Sequence, residues 1–298
     1  MPDVDWKPLD FDPEARPATD ANPIRNVAQG NCPAVVFRQA FPAEQCAALV
    51  QYLIDEDLIY DSTTALVAEK AVSAGVTDKW TGLNLNPDGS PRRRIDIGTS
   101  LGNIGEDQER FLSESAETHR LFGRLFADRP NPIQVIYDRL QDISPGKSVV
   151  TAHEPDGRQY GPAIFRVHYG GYAYGPHFDS VHNREKRTNY AVYKYQSQLA
   201  GVLCVQNTTL NGVTAQGIIH RQFWNEQVDP WLASGRFHDY AEQQNIDRVQ
   251  IELQPGDLYF FNTGLIHEVP GVPGDLPRIV LATFIGYSDD EDEVMVWS

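Results

Sequence analysis

The sequence predicts an α+β chain in which an α-rich N-terminal half covers a C-terminal β-core. From about residue 160, short β-prone runs alternate with turn signals (AIFRVHYGG, HFDS, QLAGVLCVQN, GIIHRQFW, RVQIELQ, DLYFFNT, HEV and RIVLATFIGY), the spacing of an all-β barrel or sandwich. Between residues 42 and 144, apolar residues instead recur at helical intervals. The chain has 298 residues, 41% hydrophobic and 22% charged, which is ample for a sizeable core and ordinary for a globular protein.

In chain order, residues 1–30 are rich in Pro, Asp and Asn and read as an extended arm. Residues 31–298 then form a single domain, helix-rich over 31–155 with the β-core over 156–290. A short strand is expected at 34–38. The helix FPAEQCAALVQYLIDEDL follows, with Pro42 at its first turn, Glu44 at the positive end of the dipole, and Ala47, Leu49, Tyr52 and Leu53 as the apolar stripe. A mixed stretch contains a hairpin-like turn at Pro87-Asp88-Gly89, a solvated basic turn at Arg92-Arg93-Arg94, and the strand candidate RIDIGTSL. FLSESAETHRLFGRLF and NPIQVIYDRLQDIS are helices, the second capped by Asn131 with Pro132 in its first turn. The polar insertion 225–248 is in part helical, and with Phe223 and Trp224 it is a candidate lid.

The formal net charge of -16 argues against phosphate backbones and anionic lipid as partners. Cys32, Cys46 and Cys204 make neither a disulfide framework nor a structural zinc site. The acidic N-terminus lacks a secretory pattern, and no apolar run approaches the roughly 20 residues that span a bilayer. A soluble, cytoplasmic protein is expected; the sequence does not speak to its oligomeric state.

Three features carry chemistry. GPHFDS holds His177 and Asp179 at i and i+2, on one face of an extended strand roughly 7 Å apart, where both can reach one ion. Alone this spacing is common by chance. His267 ends PGDLYFFNTGLIH, just beyond an apolar strand that begins after the tight turn Pro255-Gly256-Asp257, and would complete a facial triad of two histidines and one carboxylate that leaves positions open on a metal. Arg278, eleven residues on, heads the apolar strand RIVLATFIGY, where a lone guanidinium needs an anionic partner and suits a carboxylate. Each feature has a bland reading as a rim histidine or an ordinary ion pair. In this order and on strands they favour a metal site beside a bound dicarboxylate.

His177-Phe-Asp179, His267 and Arg278 together resemble the signature of the Fe(II)- and 2-oxoglutarate-dependent oxygenases. YGGYAYGPHFDS is similar to the approach to this motif in prolyl-4-hydroxylase-like members, and Arg158-Gln159-Tyr160-Gly161-Pro162 with QLAGVLCVQN resembles freestanding alkaloid halogenases and their hydroxylating relatives. The resemblance covers about 160–288. It implies a double-stranded β-helix, a jelly-roll (cupin-like) barrel with supporting helices. It implies that His177, Asp179 and His267 ligate Fe(II) and that Arg278 pairs with the distal carboxylate of 2-oxoglutarate, with O2 as the other cosubstrate. Tyr169, one residue out of the usual spacing, and His168, which shares a strand face with Arg166, are further cosubstrate-binding candidates. Where many members carry Ser or Thr two residues after the arginine, this chain has Val280. The implied reaction oxidises an unactivated C–H bond of a small molecule, an amino acid derivative or secondary metabolite, releasing succinate and CO2. Halogenating relatives replace the carboxylate by Gly or Ala, so Asp179 points to hydroxylation or a related oxidation. A peptidyl hydroxylase and a non-catalytic metal-binding jelly-roll sensor are the alternatives.

Overall fold

The computed structural model describes residues 6–12, 22–62 and 92–298. The turn expected at Pro87-Asp88-Gly89 lies outside the described residues. Among the described residues, nine strands form one sheet. Its path runs β1 (Leu9–Asp10), β2 (Val35–Phe37), β12 (Leu258–Asn262), β7 (Ser197–Gln206), β14 (Arg278–Tyr287), β15 (Glu293–Trp297) and β4 (Ser148–Thr151). β5 (Ile164–His168) pairs with the first half of β14 and carries β3 (Arg94–Ile97) on its outer edge. A smaller sheet has the order β11 (Arg248–Ile251), β10 (Gly217–Phe223), β13 (Leu265–Val269) and β6 (Tyr174–His177). A two-stranded hairpin, β8 (Thr209–Leu210) with β9 (Val213–Thr214), completes the set.

The two sheets face each other. Val202, Tyr259 and Val280 of the large sheet and Ile219, Ile251 and Leu265 of the small one are buried in one apolar cluster, the inside of a jelly-roll barrel. Alternation sends the intervening residues of β7 and β14, such as Leu203 and Leu281, to the outer face. Helices cover that face, as expected: α1 (Pro23–Ala28), α2 (Ala43–Asp55), α4 (Gln108–Leu125) and α5 (Pro132–Asp142), with the short α3 (Leu101–Ile104) before α4. Leu53, Leu125, Ile136 and Leu140 are fully enclosed there. At about 1.5–3 kcal/mol per buried aliphatic side chain, this interface holds the helices more firmly than their intrinsic propensity could.

The elements differ from expectation in places. The arm expected at 1–30 is extended only where Leu9 and Asp10 pair with Val35 and Val36; residues 23–28 are helical. Asn22 caps that helix by accepting the Arg25 N–H, Pro23 sits in its first turn, and Ile24 and Val27 are fully buried. In α2 the buried stripe is Cys46, Leu49 and Leu53, while Ala47 faces solvent. α5 is capped by Asn131 as predicted. Arg94, the last residue of the basic run and the first of the strand candidate RIDIGTSL, starts β3 and pairs with Asp96 rather than standing in a solvated turn. The predicted turn at 255–257 is present; at Gly256 (φ +98°) an added Cβ would lie 2.2 Å from the Phe41 carbonyl oxygen, so only glycine fits.

Candidate functional site

β6 and β13 run antiparallel with His177 directly opposite His267. Cross-strand partners share a face, and here both imidazoles project into the barrel with ring centroids 4.2 Å apart. The segment folds back at Thr263-Gly264 into β12 and β13, the runs DLYFFNT and HEV, and places His267 within β13 rather than just beyond a single strand. β6 ends at His177, so Asp179 is placed by the loop that follows. Its N–H donates to the Thr263 carbonyl, and the Thr263 hydroxyl donates to the Asp179 carbonyl, both at 2.9 Å. These bonds tie the loop to the β12–β13 turn and bring Asp179 Oδ2 to 3.8 Å from His177 Nε2 and 3.7 Å from His267 Nε2. The three ligand atoms lie within 4.8 Å of one another.

The protonation pattern suits a cation. The Nδ1 atoms of His177 and His267 stand 2.8 and 2.9 Å from the backbone carbonyls of Gly175 and Leu265, each two residues earlier. A carbonyl can only accept, so each Nδ1 carries the proton and each Nε2 presents a lone pair inward. Burial, followed by the neighbouring His267, pushes the His177 pKa down to about 4. Burial opposes ionisation of Asp179, but its contacts with His267 and His177 and the nearby Arg184 guanidinium outweigh it and hold the carboxyl well below its usual range. Arg184 Nη1 donates to Asp179 Oδ1 at 3.0 Å and to the Phe178 carbonyl at 2.7 Å, leaving Oδ2 for the ion. Two imidazole nitrogens and an ionised carboxylate on one side of an open space form a donor set for a divalent transition metal.

The triad lines a cavity of about 610 Å³. Arg278 lies in its wall, 7% exposed, and makes no ion pair or side-chain hydrogen bond with another described residue. His168 stands directly across the ladder from Arg278. Its Nε2 is buried and without a partner among the described residues. Burial, then Arg278, Arg94 and Arg166, push its pKa down to about 2, so the ring is neutral. Thus His177, Asp179, His267, Arg278 and His168 meet in one place. Tyr169 does not reach it. β5 ends at His168, and the next side chain turns to the helix-covered side, where the Tyr169 ring stacks on Tyr60 at 3.8 Å and its hydroxyl donates to the Tyr60 carbonyl at 2.9 Å. Its hydroxyl is used in packing, and the expectation that it binds cosubstrate is corrected.

Arg184, Thr263 and Tyr174 were not anticipated at the site. The i+5 spacing of Arg184 from Asp179 carries no motif; for Arg94 and Asp96, the alternation Arg-Ile-Asp-Ile in β3 was the available signal. His182 stacks on Tyr193 in a loop and takes no part.

The insertion packs elsewhere than expected. Its helices α6 (Asp229–Ala233) and α7 (Phe237–Gln243) cover the outer face of the small sheet, where Val228 and Phe237 bury against Phe178 and Ile266. None of 225–248 lines the cavity, so the lid reading is corrected. On that outer face His220, buried, lies 2.9 Å from Glu268, which also meets the exposed His238 of α7 at 3.3 Å. The group pins α7 to the sheet, one residue along from His267 but pointing away from the cavity.

The barrel thus carries a His-Asp-His cluster and, in the same cavity, an arginine without a partner among the described residues. The family profile of the carrier-protein-independent halogenase WelO5 matches residues 225–298, a span holding His267 and Arg278 but not His177 or Asp179. A novel N-substituted L-amino acid dioxygenase from Burkholderia ambifaria AMMD, solved in complex with alpha-KG, superposes with a TM-score of 0.53 at 17% identity, covering 92% of this chain and 90% of that one. A second crystal structure so named, from the same organism, gives a TM-score of 0.52 at 16% identity over 92% and 90%. At such identity the likeness establishes the fold, a double-stranded β-helix. No curated protein matches the sequence. The chain resembles the Fe(II)/2-oxoglutarate oxygenase superfamily in fold and in its C-terminal sequence. No helix among the described residues is long and apolar enough to cross a membrane.

Proposed function

We propose that this chain is an Fe(II)- and 2-oxoglutarate-dependent oxygenase that oxidises a C–H bond of a small molecule, with O2 consumed and succinate and CO2 released. The observation that carries this reading is the conjunction in one cavity of three convergent metal donors and a buried guanidinium with no partner among the described residues. An unpaired buried arginine is costly, and an anion completing it from outside the chain resolves that cost. His177, Asp179 and His267 hold the metal; Arg278 takes the distal carboxylate of 2-oxoglutarate, and His168 offers a neutral nitrogen beside it.

When bound, iron with 2-oxoglutarate supplies the oxidising chemistry; the chain supplies placement. The carbonyl bonds at both Nδ1 atoms fix the imidazole tautomers, and Arg184 fixes the carboxylate, so the donor set is preorganised. The apolar barrel floor, with Val202 and Phe261, excludes water from one side of the ion. Asp179 favours hydroxylation or a related oxidation over halogenation, because its carboxylate fills the position that a halide would take. The WelO5 match motivates testing halogenation directly. Anaerobically reconstituted chain, given O2, 2-oxoglutarate and a panel of small molecules with and without chloride, is expected to release succinate and yield oxygenated products without halogen. Absence of succinate under every condition refutes the oxygenase reading, and chlorinated product refutes the hydroxylase assignment.

A further inference from the structure

The cavity wall holds four guanidinium groups, from Arg94, Arg166, Arg184 and Arg278. Arg184 is occupied by Asp179 at 3.0 Å. Arg94 grips both oxygens of Asp96, at 2.6 and 3.1 Å. The remaining lining acid, Glu185, is held by Arg187 at 2.6 Å. Two guanidiniums are left over. Among the described residues Arg278 has no partner, and Arg166 has only Asp96 at 3.9 Å, beyond hydrogen-bond reach and already gripped by Arg94. In a chain of net charge -16, acids are abundant, yet among the described residues neither arginine is hydrogen-bonded to one.

A single keto diacid bound at the metal directs one free carboxylate away from it and so satisfies one of the two. The ladder separates them. Arg278 and Arg94 flank His168 on one rung, whereas Arg166 stands between Asp96 and Val280 on the next. Arg166 is not alone there. The Tyr174 hydroxyl is buried without a partner among the described residues. Its ring lies under Arg94, 5.4 Å from the guanidinium carbon, and beside the His177 ring, with centroids 5.7 Å apart. A loosely paired cation and a hydroxyl without a partner among the described residues therefore share the cavity wall that leads to the proposed metal.

We propose that Arg166 and the Tyr174 hydroxyl form a second anion subsite, distinct from that of the cosubstrate, which takes the carboxylate of the molecule to be oxidised. The substrate is thus a small carboxylic acid, anchored by its carboxylate and presenting its C–H bond to the metal. This rests on the oxygenase reading for the identity of the first anion. Arg94 and Asp96 act on the substrate only by positioning, Asp96 keeping Arg94 away from the incoming charge.

The test uses the Zn(II)-loaded chain saturated with 2-oxoglutarate, so that no turnover occurs and Arg278 is occupied. Ligand-observed NMR is run with a panel of N-acetylated amino acids and aromatic acids, each paired with its primary amide. Acids are expected to bind about 10–100-fold more tightly than their amides, the range for a charge-assisted bond. Arg166→Met removes the preference, Tyr174→Phe narrows it, and Arg166→Lys restores part of it, while calorimetric binding of 2-oxoglutarate changes less than about twofold in each. Equal binding of acids and amides, absence of binding by every acid, or a preference that survives Arg166→Met overturns the subsite. If 2-oxoglutarate itself fails to bind the unmodified chain, the oxygenase reading falls, and the subsite with it.

Discussion

Replacing Arg184 with alanine probes how the acidic ligand is held. Asp179 leaves β6 two residues after its end, so no strand pairing orients its side chain. Of its two oxygens, Oδ1 is fixed by Arg184 at 3.0 Å and Oδ2 faces the two imidazoles. In Arg184→Ala the carboxylate loses its charge-assisted donor and gains rotational freedom about the side-chain torsions, while the backbone bonds to Thr263 persist. Loss of such a partner lowers metal affinity by about 10–100-fold, or about 1.4–2.7 kcal/mol. The Arg184 side chain is 50% exposed, so solvent screens its charge and the lower end, about tenfold, is expected. Arg184→Lys keeps the charge without the planar fork and should recover only part of the loss. Anaerobic Fe(II) titration followed by calorimetry gives the number. Affinity unchanged within twofold in Arg184→Ala would mean that the Thr263 contacts alone position the ligand, and the preorganisation argument would be wrong.

Four further outcomes are expected. Arg278→Leu should abolish 2-oxoglutarate binding by calorimetry yet leave the melting temperature unchanged or raised, because it removes a buried charge that no described residue compensates; a marked loss of stability would show that Arg278 is structural. Asp179→Gly should weaken Fe(II) binding by more than tenfold and stop oxygenated product formation, and unchanged product would remove Asp179 from the ligand set. Glu268→Ala should cost about 1–3 kcal/mol in urea unfolding by stranding the buried His220, with cavity ligands still bound; a loss confined to Fe(II) binding would contradict its placement outside the cavity. In the metal-free chain, stability should fall with acidity below pH about 6.5: His168 and His177 take up protons more readily when unfolded, at about 1.4 kcal/mol per pH unit each, until the folded values of about 2 and about 4 are reached. The depressed Asp179 and Glu268 add their own losses only towards their ordinary ranges, near 3.8 and 4.5, so the slope between pH 6 and about 5 belongs to the histidines, and His168→Asn should roughly halve it. A flat profile there would contradict their buried, neutral state.

The residues that meet in the cavity were readable because each sits in a short local pattern. His-x-Asp, a histidine after an apolar run and an arginine heading an apolar strand are visible within a few residues, and barrel topology then brings them together. Residues whose role depends on loop geometry were not readable. Arg184 reaches Asp179 only because the chain after β6 turns back on itself, and Tyr174 matters because its hydroxyl happens to lack a partner. Tyr169 shows the opposite error: one residue past the end of β5, alternation carries the side chain away from the cavity and into the helical layer. The last strand, β15, went unrecognised because its run of buried residues shows no alternation. Val294 and Val296 face the helices while Met295 and Trp297 pack on a separate cluster, so both faces are covered. The insertion's placement was hidden as well, since Phe237 and Val228 bury against a sheet face that only the folded barrel creates.

The central claim is that His177, Asp179 and His267 hold one iron beside a dicarboxylate bound to Arg278. Anaerobic titration of the purified chain with Fe(II), followed by 2-oxoglutarate, tests it in a single spectrum: a visible charge-transfer band should grow to one equivalent only when both are present, vanish in Asp179→Ala, His267→Ala and Arg278→Leu, and persist in His238→Ala. A chain that binds both without that band, or that keeps the band when Asp179 is removed and loses it when His238 is, would contradict the assignment.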